Sequence, residues 1–250
     1  MRKNAIELVK SVFKSKKKEE IIKKRREFYS QFLTSKEDLY IDVGANYGNR
    51  IAPIIDKGFK IIAVEPQLKC VAFLKRKYGD KITIVPKGLG EKQEIKTMYI
   101  SSAHTLSSFS QEWIKATKES GRFSKYKWNK RIDVEITTLD ALIENFGHPT
   151  FIKIDVEGFE LQVLKGLSHP VEYLSFEYTI PERKKSILDC IDRIVEISKT
   201  NTVLFNYSIG ESMQWALEEW LTPKKMKEEV HKDRFIFSEF GDIYSKTTIK

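Results

Sequence analysis

Cysteine is scarce in this 250-residue chain: there are two, Cys70 and Cys190, far apart and in no C-x-x-C pair. That excludes a disulfide scaffold and a zinc ribbon, and it fits a reducing compartment, so a cytoplasmic protein is expected. Twelve glycines and seven prolines are too few for a low-complexity or collagen-like chain. No apolar run reaches the roughly 18 residues that a bilayer-spanning helix needs. A secretory leader is not expected either, because Glu7 and Lys10 interrupt the stretch behind Met1-Arg2-Lys3 that would have to be apolar. No internal repeat is visible. What the chain does have is apolar and aromatic bulk, with 15 Phe, 10 Tyr and 4 Trp in a composition that is 41% hydrophobic. That is enough for a sizeable core and argues against disorder.

The net charge is +9 and is unevenly placed. Residues 1–38 and residues 115–131 each carry +6, which leaves −3 for the rest of the chain. A basic total raises nucleic acid or an anionic membrane surface as a partner, but the body that would carry a site is mildly acidic. The first basic segment reads as a helical extension over 1–37 with a solvated face. The second holds Phe123, Tyr126 and Trp128 among its cations, with Trp113 just upstream. Aromatics among cations can clamp an acidic or sugar-like ligand. Residues 101–131 are therefore expected to form an insertion or lid, with Lys125, Lys127 and Trp128 as candidate substrate contacts. A loop that packs its own aromatics against the body is the bland alternative.

Hydrophobic spacing predicts a helix over 4–33, then strands at 39–43, 60–64, 82–85, 95–100, 132–138, 151–155 and 171–177. Helices are expected at 68–78, 159–167 and 187–197, and terminal strands at 203–207, 235–237 and 242–244. Strands alternating with helices of about a dozen residues mean a mostly parallel sheet covered on both faces, over 38–250. Right-handed crossovers put the strand C-terminal ends on one rim, where ligands bind.

Three groups of residues fall on that rim. After the first strand comes Asp42-Val-Gly44-Ala45-Asn46-Tyr-Gly48-Asn49, a turn of small residues flanked by a carboxylate and an amide. After the second comes Glu65-Pro66, where a carboxylate can accept hydrogen bonds from both ribose hydroxyls. Together they point to a nucleoside-containing cofactor. A dinucleotide turn wants G-x-G-x-x-G, but Asn46 and Asn49 stand where its second and third glycines belong. A cationic sulfonium with an amino-acid tail suits Asp42 and Asn46 better, so a nicotinamide-dependent oxidoreductase is the weaker reading. The third group is Lys153-Ile-Asp155-Val-Glu157-Gly158-Phe-Glu160, whose period of two puts Lys153, Asp155 and Glu157 on one face. A structural Lys153–Asp155 pair is one reading, since buried charge is costly unless paired. Glu160 is expected to serve the N-terminus of the next helix. The rim position of Asp155 and Glu157 favours function.

These motifs resemble the FkbM-type methyltransferases: Tyr40-Ile-Asp-Val-Gly-Ala-Asn46, Val64-Glu65-Pro66, Thr138-Leu-Asp140, and Ile152 to Glu160 with Leu164-Lys-Gly166. The resemblance covers about residues 38–180. It implies a class I S-adenosylmethionine-dependent fold, a Rossmann-like three-layer sandwich whose seven-stranded sheet has an antiparallel last strand. It implies O-methylation of a hydroxyl on a sugar, glycan or other small metabolite, with S-adenosylhomocysteine as product. It also places the cofactor on Asp42, Gly44, Ala45, Asn46, Gly48, Glu65 and Pro66, and the transfer site beside Asp155–Glu157. Asp155 and Glu157 are then candidates for the base that takes the acceptor's proton. His104 ranks behind them, and Glu177 at the end of its strand is expected to face the pocket. Clustered rim carboxylates can hold Mg²⁺, but the spacing does not demand a metal and none is assigned. An RNA methyltransferase is the competing reading, while the −3 of the body makes nucleic acid the weaker partner. The sequence leaves peripheral membrane contact and oligomeric state open.

Overall fold

Runs rich in Val, Ile and Tyr pair into a sheet, and helices with apolar residues on one stripe cover it. A computed structural model describes residues 19–249. In chain order the elements are α1 (helical over 19–29), β1 (Leu39–Val43), β2 (Lys60–Val64), α2 (Leu68–Tyr78), β3 (Thr83–Val85), β4 (Gly88–Leu89), β5 (Glu94–Ile100), α3 (Gln111–Glu119), β6 (Lys130–Thr137), α4 (Leu139–Phe146), β7 (Phe151–Ile154), α5 (Glu160–Lys165), β8 (Tyr173–Thr179), α6 (Lys184–Ser198), β9 (Thr202–Ile209), α7 (Pro223–Glu229), α8 (Asp233–Ile236) and β10 (Phe240–Thr248).

The main sheet has seven strands in the order β3-β2-β1-β7-β8-β10-β9. Strands β3, β2, β1, β7 and β8 are mutually parallel, and β10 enters antiparallel between β8 and β9. The expected antiparallel last strand is thus present. Both faces of the sheet are buried. Ile41, Val43, Ile62, Val64, Ile152 and Ile154 lie in one core cluster. Tyr40, Ile61, Ala63 and Phe151, at the alternating positions, lie in the other. Helix α1 and the turn after it belong to that second cluster: Phe28, Tyr29 and Phe32 are buried against Tyr40, Phe151 and Tyr244. The described part of the N-terminal extension is therefore docked on the sheet. Of the helix expected over 4–33, residues 1–18 lie outside the described residues, and 30–32 form a turn.

Two expectations change. The strands at 95–100 and 132–138 do not join the main sheet but make a separate three-stranded sheet, β4-β6-β5. Only one of its faces is buried, by Met98, Val134, Ile136 and Phe109, while Ile95 faces solvent. Residues 235–237 form helix α8 and its end instead of a strand. A three-residue apolar run fits either state by periodicity, and tertiary packing decides: Phe235 is buried against Tyr178 and Tyr207, and Phe237 is exposed. No helix among the described residues is long and apolar enough to cross a membrane.

Candidate active site

A cavity of about 260 Å³ opens on the rim where β1, β2, β7 and β8 end. Its floor is set by one glycine. Gly44 has φ +84, and a Cβ there would lie 1.9 Å from the carbonyl oxygen of Asp155. Only glycine allows the turn after β1 to pass this close to the end of β7. The neighbouring bond from Asp155 N to Val43 O, at 3.0 Å, fixes the approach.

Glu65 follows β2 and is almost wholly buried. Its Oε2 accepts from Asn46 N and its Oε1 from Gln67 N, both at 2.8 Å. Burial pushes its pKa up to about 7 against those two N–H groups, which pull the other way. Each oxygen keeps a further lone pair for a hydroxyl donor in the cavity. Asn46, at φ 48, also lines the cavity, and its Oδ1 is buried with no partner. Ala45 and Pro66 complete this end. An unfilled acceptor, a carboxylate with spare lone pairs and a floor without Cβ fit a hydroxyl-bearing nucleoside.

Asp155, Glu157 and Glu177 converge at the other end. One oxygen of each lies within 4.8 Å of the other two. Burial, then repulsion from Asp155, raises the pKa of both Glu157 and Glu177 well above the ordinary carboxylate range. Glu157 sits at φ 55, a left-handed conformation that costs a non-glycine residue energy and here aims its side chain into the cavity. Two contacts hold that turn. Ser108 Oγ donates to Glu157 O at 2.6 Å, and Trp113 packs so closely on Gly158 that a Cβ there would lie 2.3 Å from the indole. Glu160 Oε1 accepts from Val156 N and Gly158 N, the helix-start role expected of it.

Beneath the cavity runs a buried charge network. Lys153 is fully buried, and its Nζ donates to Asp155 Oδ2 and to Asp242 Oδ1, both at 3.0 Å. Burial opposes its charge, but Asp155 and Asp242 outweigh burial and hold its pKa above the ordinary value. The expected Lys153–Asp155 pair is thus present, with a third member from β10.

Several candidate residues lie elsewhere. Asp42 lies below the cavity and does not line it: it pairs in register with Lys153, accepts from Tyr40 Oη at 3.1 Å, and burial pushes its pKa up to about 6. Gly48 is turned away, its carbonyl accepting from Tyr78 Oη at 2.9 Å. Lys125, Lys127 and Trp128 do not line the cavity. The two lysines are exposed, and Trp128 packs with Trp113 and donates to Leu106 O at 2.7 Å. The basic half of the 101–131 segment folds its aromatics on themselves, because large apolar rings gain more from mutual burial than from solvent. The first half supplies the cavity wall through His104, Thr105, Ser107 and Phe109. The His104 carbonyl accepts from Asn46 Nδ2 and Gln67 Nε2, which places His104 at the Glu65 end, while Ser108 of the same loop reaches the Glu157 backbone. Arg25, Arg50, Gln67 and Glu211 also line the cavity, and no sequence pattern singles them out. Arg25 sits in the basic run Lys23-Lys24-Arg25-Arg26, which reads as solvated surface, Arg50 is a lone cation ahead of the apolar run that begins at Ile51, and Glu211 lies in an irregular loop.

This strand order, with a carboxylate closing the second strand and a glycine turn closing the first, defines a class I S-adenosylmethionine-dependent methyltransferase. The chain belongs to the FkbM methyltransferase family: the methyltransferase FkbM domain matches residues 42–219. Solved structures similar to it include a TehB-like SAM-dependent methyltransferase from Corynebacterium glutamicum, at 7% identity and TM-score 0.45 over 90% of this chain and 88% of that one. An O-methyltransferase from Bacillus cereus in complex with SAH is 10% identical, with TM-score 0.42 over 91% and 80%. An rRNA methylase from Streptococcus thermophilus is 10% identical, with TM-score 0.41 over 90% and 94%. No curated protein matches the sequence.

Proposed function

We propose that this methyltransferase transfers its methyl group to a hydroxyl of a sugar, glycan or other small metabolite, with Glu157 taking the hydroxyl proton. The carrying observation is the convergence of Asp155, Glu157 and Glu177 in the cavity that also holds Gly44 and Glu65. When bound, S-adenosylmethionine supplies a methyl group already activated on a sulfonium. The protein's part is then to bind, align and deprotonate. Alignment alone contributes on the order of 7–11 kcal/mol.

Glu65, Asn46, Ala45 and Pro66 would hold the nucleoside, over the floor that Gly44 opens. Asp155, fixed by Lys153, orients the acceptor oxygen. Burial and Asp155 raise the Glu157 pKa well above the ordinary carboxylate range, which makes it a stronger proton acceptor than a free carboxylate, and Glu177 shares its proton load. An RNA acceptor is the weaker reading, because acidic groups surround the transfer end and would repel phosphates. NAD(P) is weaker still, since Asn46 and Asn49 occupy the positions of two phosphate-turn glycines.

Two tests arise here. Glu65 is protonated below about pH 7, so a ligand that requires its carboxylate loses up to about tenfold in affinity per pH unit below that value. S-adenosylhomocysteine affinity measured by calorimetry should therefore fall from pH 8 to pH 6, and Glu65→Gln should flatten the profile. A wild-type profile that is already flat would remove Glu65 from the ribose site. The second test concerns the same three carboxylates as oxygen ligands for Mg²⁺. Turnover is expected to survive dialysis against EDTA. A loss restored by Mg²⁺ would reassign Asp155, Glu157 and Glu177 from proton transfer to metal binding.

A further inference from the structure

One wall of the cavity comes from the N-terminal helix. Arg25 of α1 and Arg50, behind the glycine turn, both line the cavity and both grip the carboxylate of Glu211. Arg50 makes a two-pronged contact, Nη1 to Oε2 at 2.7 Å and Nη2 to Oε1 at 2.8 Å. Arg25 Nη2 reaches the same Oε2 at 2.8 Å. The burial is lopsided. The arginine side chains are 16% and 10% exposed, whereas Glu211 is 53% exposed. Arg25 Nε is buried with no partner. Two nearly buried guanidiniums, preset in fork geometry, are thus closed by a carboxylate that sits on a loop and is half in water. A planar fork matches any carboxylate equally well, and Glu211, half in water, can regain solvent when another carboxylate takes its place.

The rest of the cavity places this pair. Alternating charges link Glu211, Arg50, Asp242, Lys153 and Asp155 through contacts of 2.7, 3.6, 3.0 and 3.0 Å. The arginines therefore stand one chain of ion pairs away from the carboxylate end, while Glu65 marks the nucleoside end. A ligand with a nucleoside, a cationic centre and a terminal carboxylate meets groups of the matching kind in the one cavity.

We infer that Arg25 and Arg50 form a ligand-carboxylate site, which Glu211 fills as a resident stand-in and releases when the ligand's own carboxylate arrives. The inference rests on the cofactor reading of this cavity. Two sources can supply the carboxylate: the methionine tail of the cofactor, which geometry favours, or an acidic sugar acceptor. On either, the N-terminal helix is part of the binding site, and Arg25 sets specificity for acid-bearing ligands.

Calorimetry on the full chain separates the cases. S-adenosylhomocysteine is compared with 5′-methylthioadenosine, which lacks the amino-acid tail, on wild type, Arg25→Gln and Glu211→Gln. D-glucuronate is then titrated into the same proteins. If the cofactor is the source, Arg25→Gln weakens S-adenosylhomocysteine by roughly 10–100-fold and leaves 5′-methylthioadenosine unchanged. Glu211→Gln, which removes the competitor, tightens S-adenosylhomocysteine and not its truncated analogue, a gain that misfolding does not produce. If the acceptor is the source, Arg25→Gln leaves S-adenosylhomocysteine intact and abolishes glucuronate binding. Arg25→Gln with no effect on either carboxylate ligand overturns the site, as does equal weakening of S-adenosylhomocysteine and 5′-methylthioadenosine. A wild type that binds neither adenosine ligand contradicts the cofactor reading instead, and the glucuronate arm still decides the arginine site.

Discussion

Glu157→Gln is expected to lower kcat by about 10²–10⁴-fold while S-adenosylhomocysteine affinity stays within about twofold. The substitution keeps the size and hydrogen-bonding reach of the side chain and removes only its ability to hold a proton as a carboxylate. It also removes one of three mutually repelling acids, so the variant is expected to be at least as stable as wild type. That separates a chemical effect from a structural one. The pH profile carries a second signature. Burial and Asp155 raise the Glu157 pKa well above 4.5, so the wild-type rate should climb with pH well above the ordinary carboxylate range. In the variant the residual rate should lose that limb. Unchanged kcat in Glu157→Gln would pass the base role to Asp155 or Glu177.

The second large effect is on stability. Lys153→Met is expected to cost about 3–5 kcal/mol, because it leaves Asp155 and Asp242 facing each other without their shared cation. A chemical-denaturation midpoint measured at pH 7 reads this directly. The double variant Lys153→Met with Asp242→Asn should recover a large part of the loss, since the buried uncompensated charge is then gone. A Lys153→Met protein as stable as wild type would mean that the network is solvated and does not organise the rim. The pairing bears on the proposed function too, because Lys153 fixes the Asp155 carboxylate at the end of the cavity where Glu157 and Glu177 converge.

Much of this site is legible in the amino-acid sequence. Gly44, Glu65 and Asp155 fall directly behind strands, and in a parallel sheet every such position lies on the same rim. A period of two assigns Lys153, Asp155 and Glu157 to one face, and Lys153 Nζ does reach the Asp155 carboxylate. Local pattern does not show which residues meet across long sequence separations. Arg25 and Glu211 are 186 residues apart, and nothing near either one announces the other. The basic aromatic segment misdirects for a different reason. Cations beside rings look alike whether the rings clamp a ligand or bury each other, and Trp113, Phe123 and Trp128 take the second course. Its first half, with little charge, supplies the wall. The 95–100 and 132–138 strands alternate correctly, but alternation carries no information about which sheet a strand joins.

The +9 charge divides along the same lines. Helix α1 brings Arg25 to the cavity, whereas Lys125 and Lys127 stay in solvent. The cavity's charged lining thus comes from carboxylates and from the arginine pair, and not from the lysines of the 115–131 segment.

The most direct measurement is transfer of labelled methyl from S-adenosylmethionine to a panel of glycans, nucleotide sugars, glycolipid head groups and RNA, run with wild type and Glu157→Gln. The expected result is label in an alkali-stable O-methyl ether on a sugar hydroxyl, lost with Glu157→Gln. Label in RNA, label on nitrogen or carbon, or transfer to a sugar that is indifferent to Glu157 would contradict it.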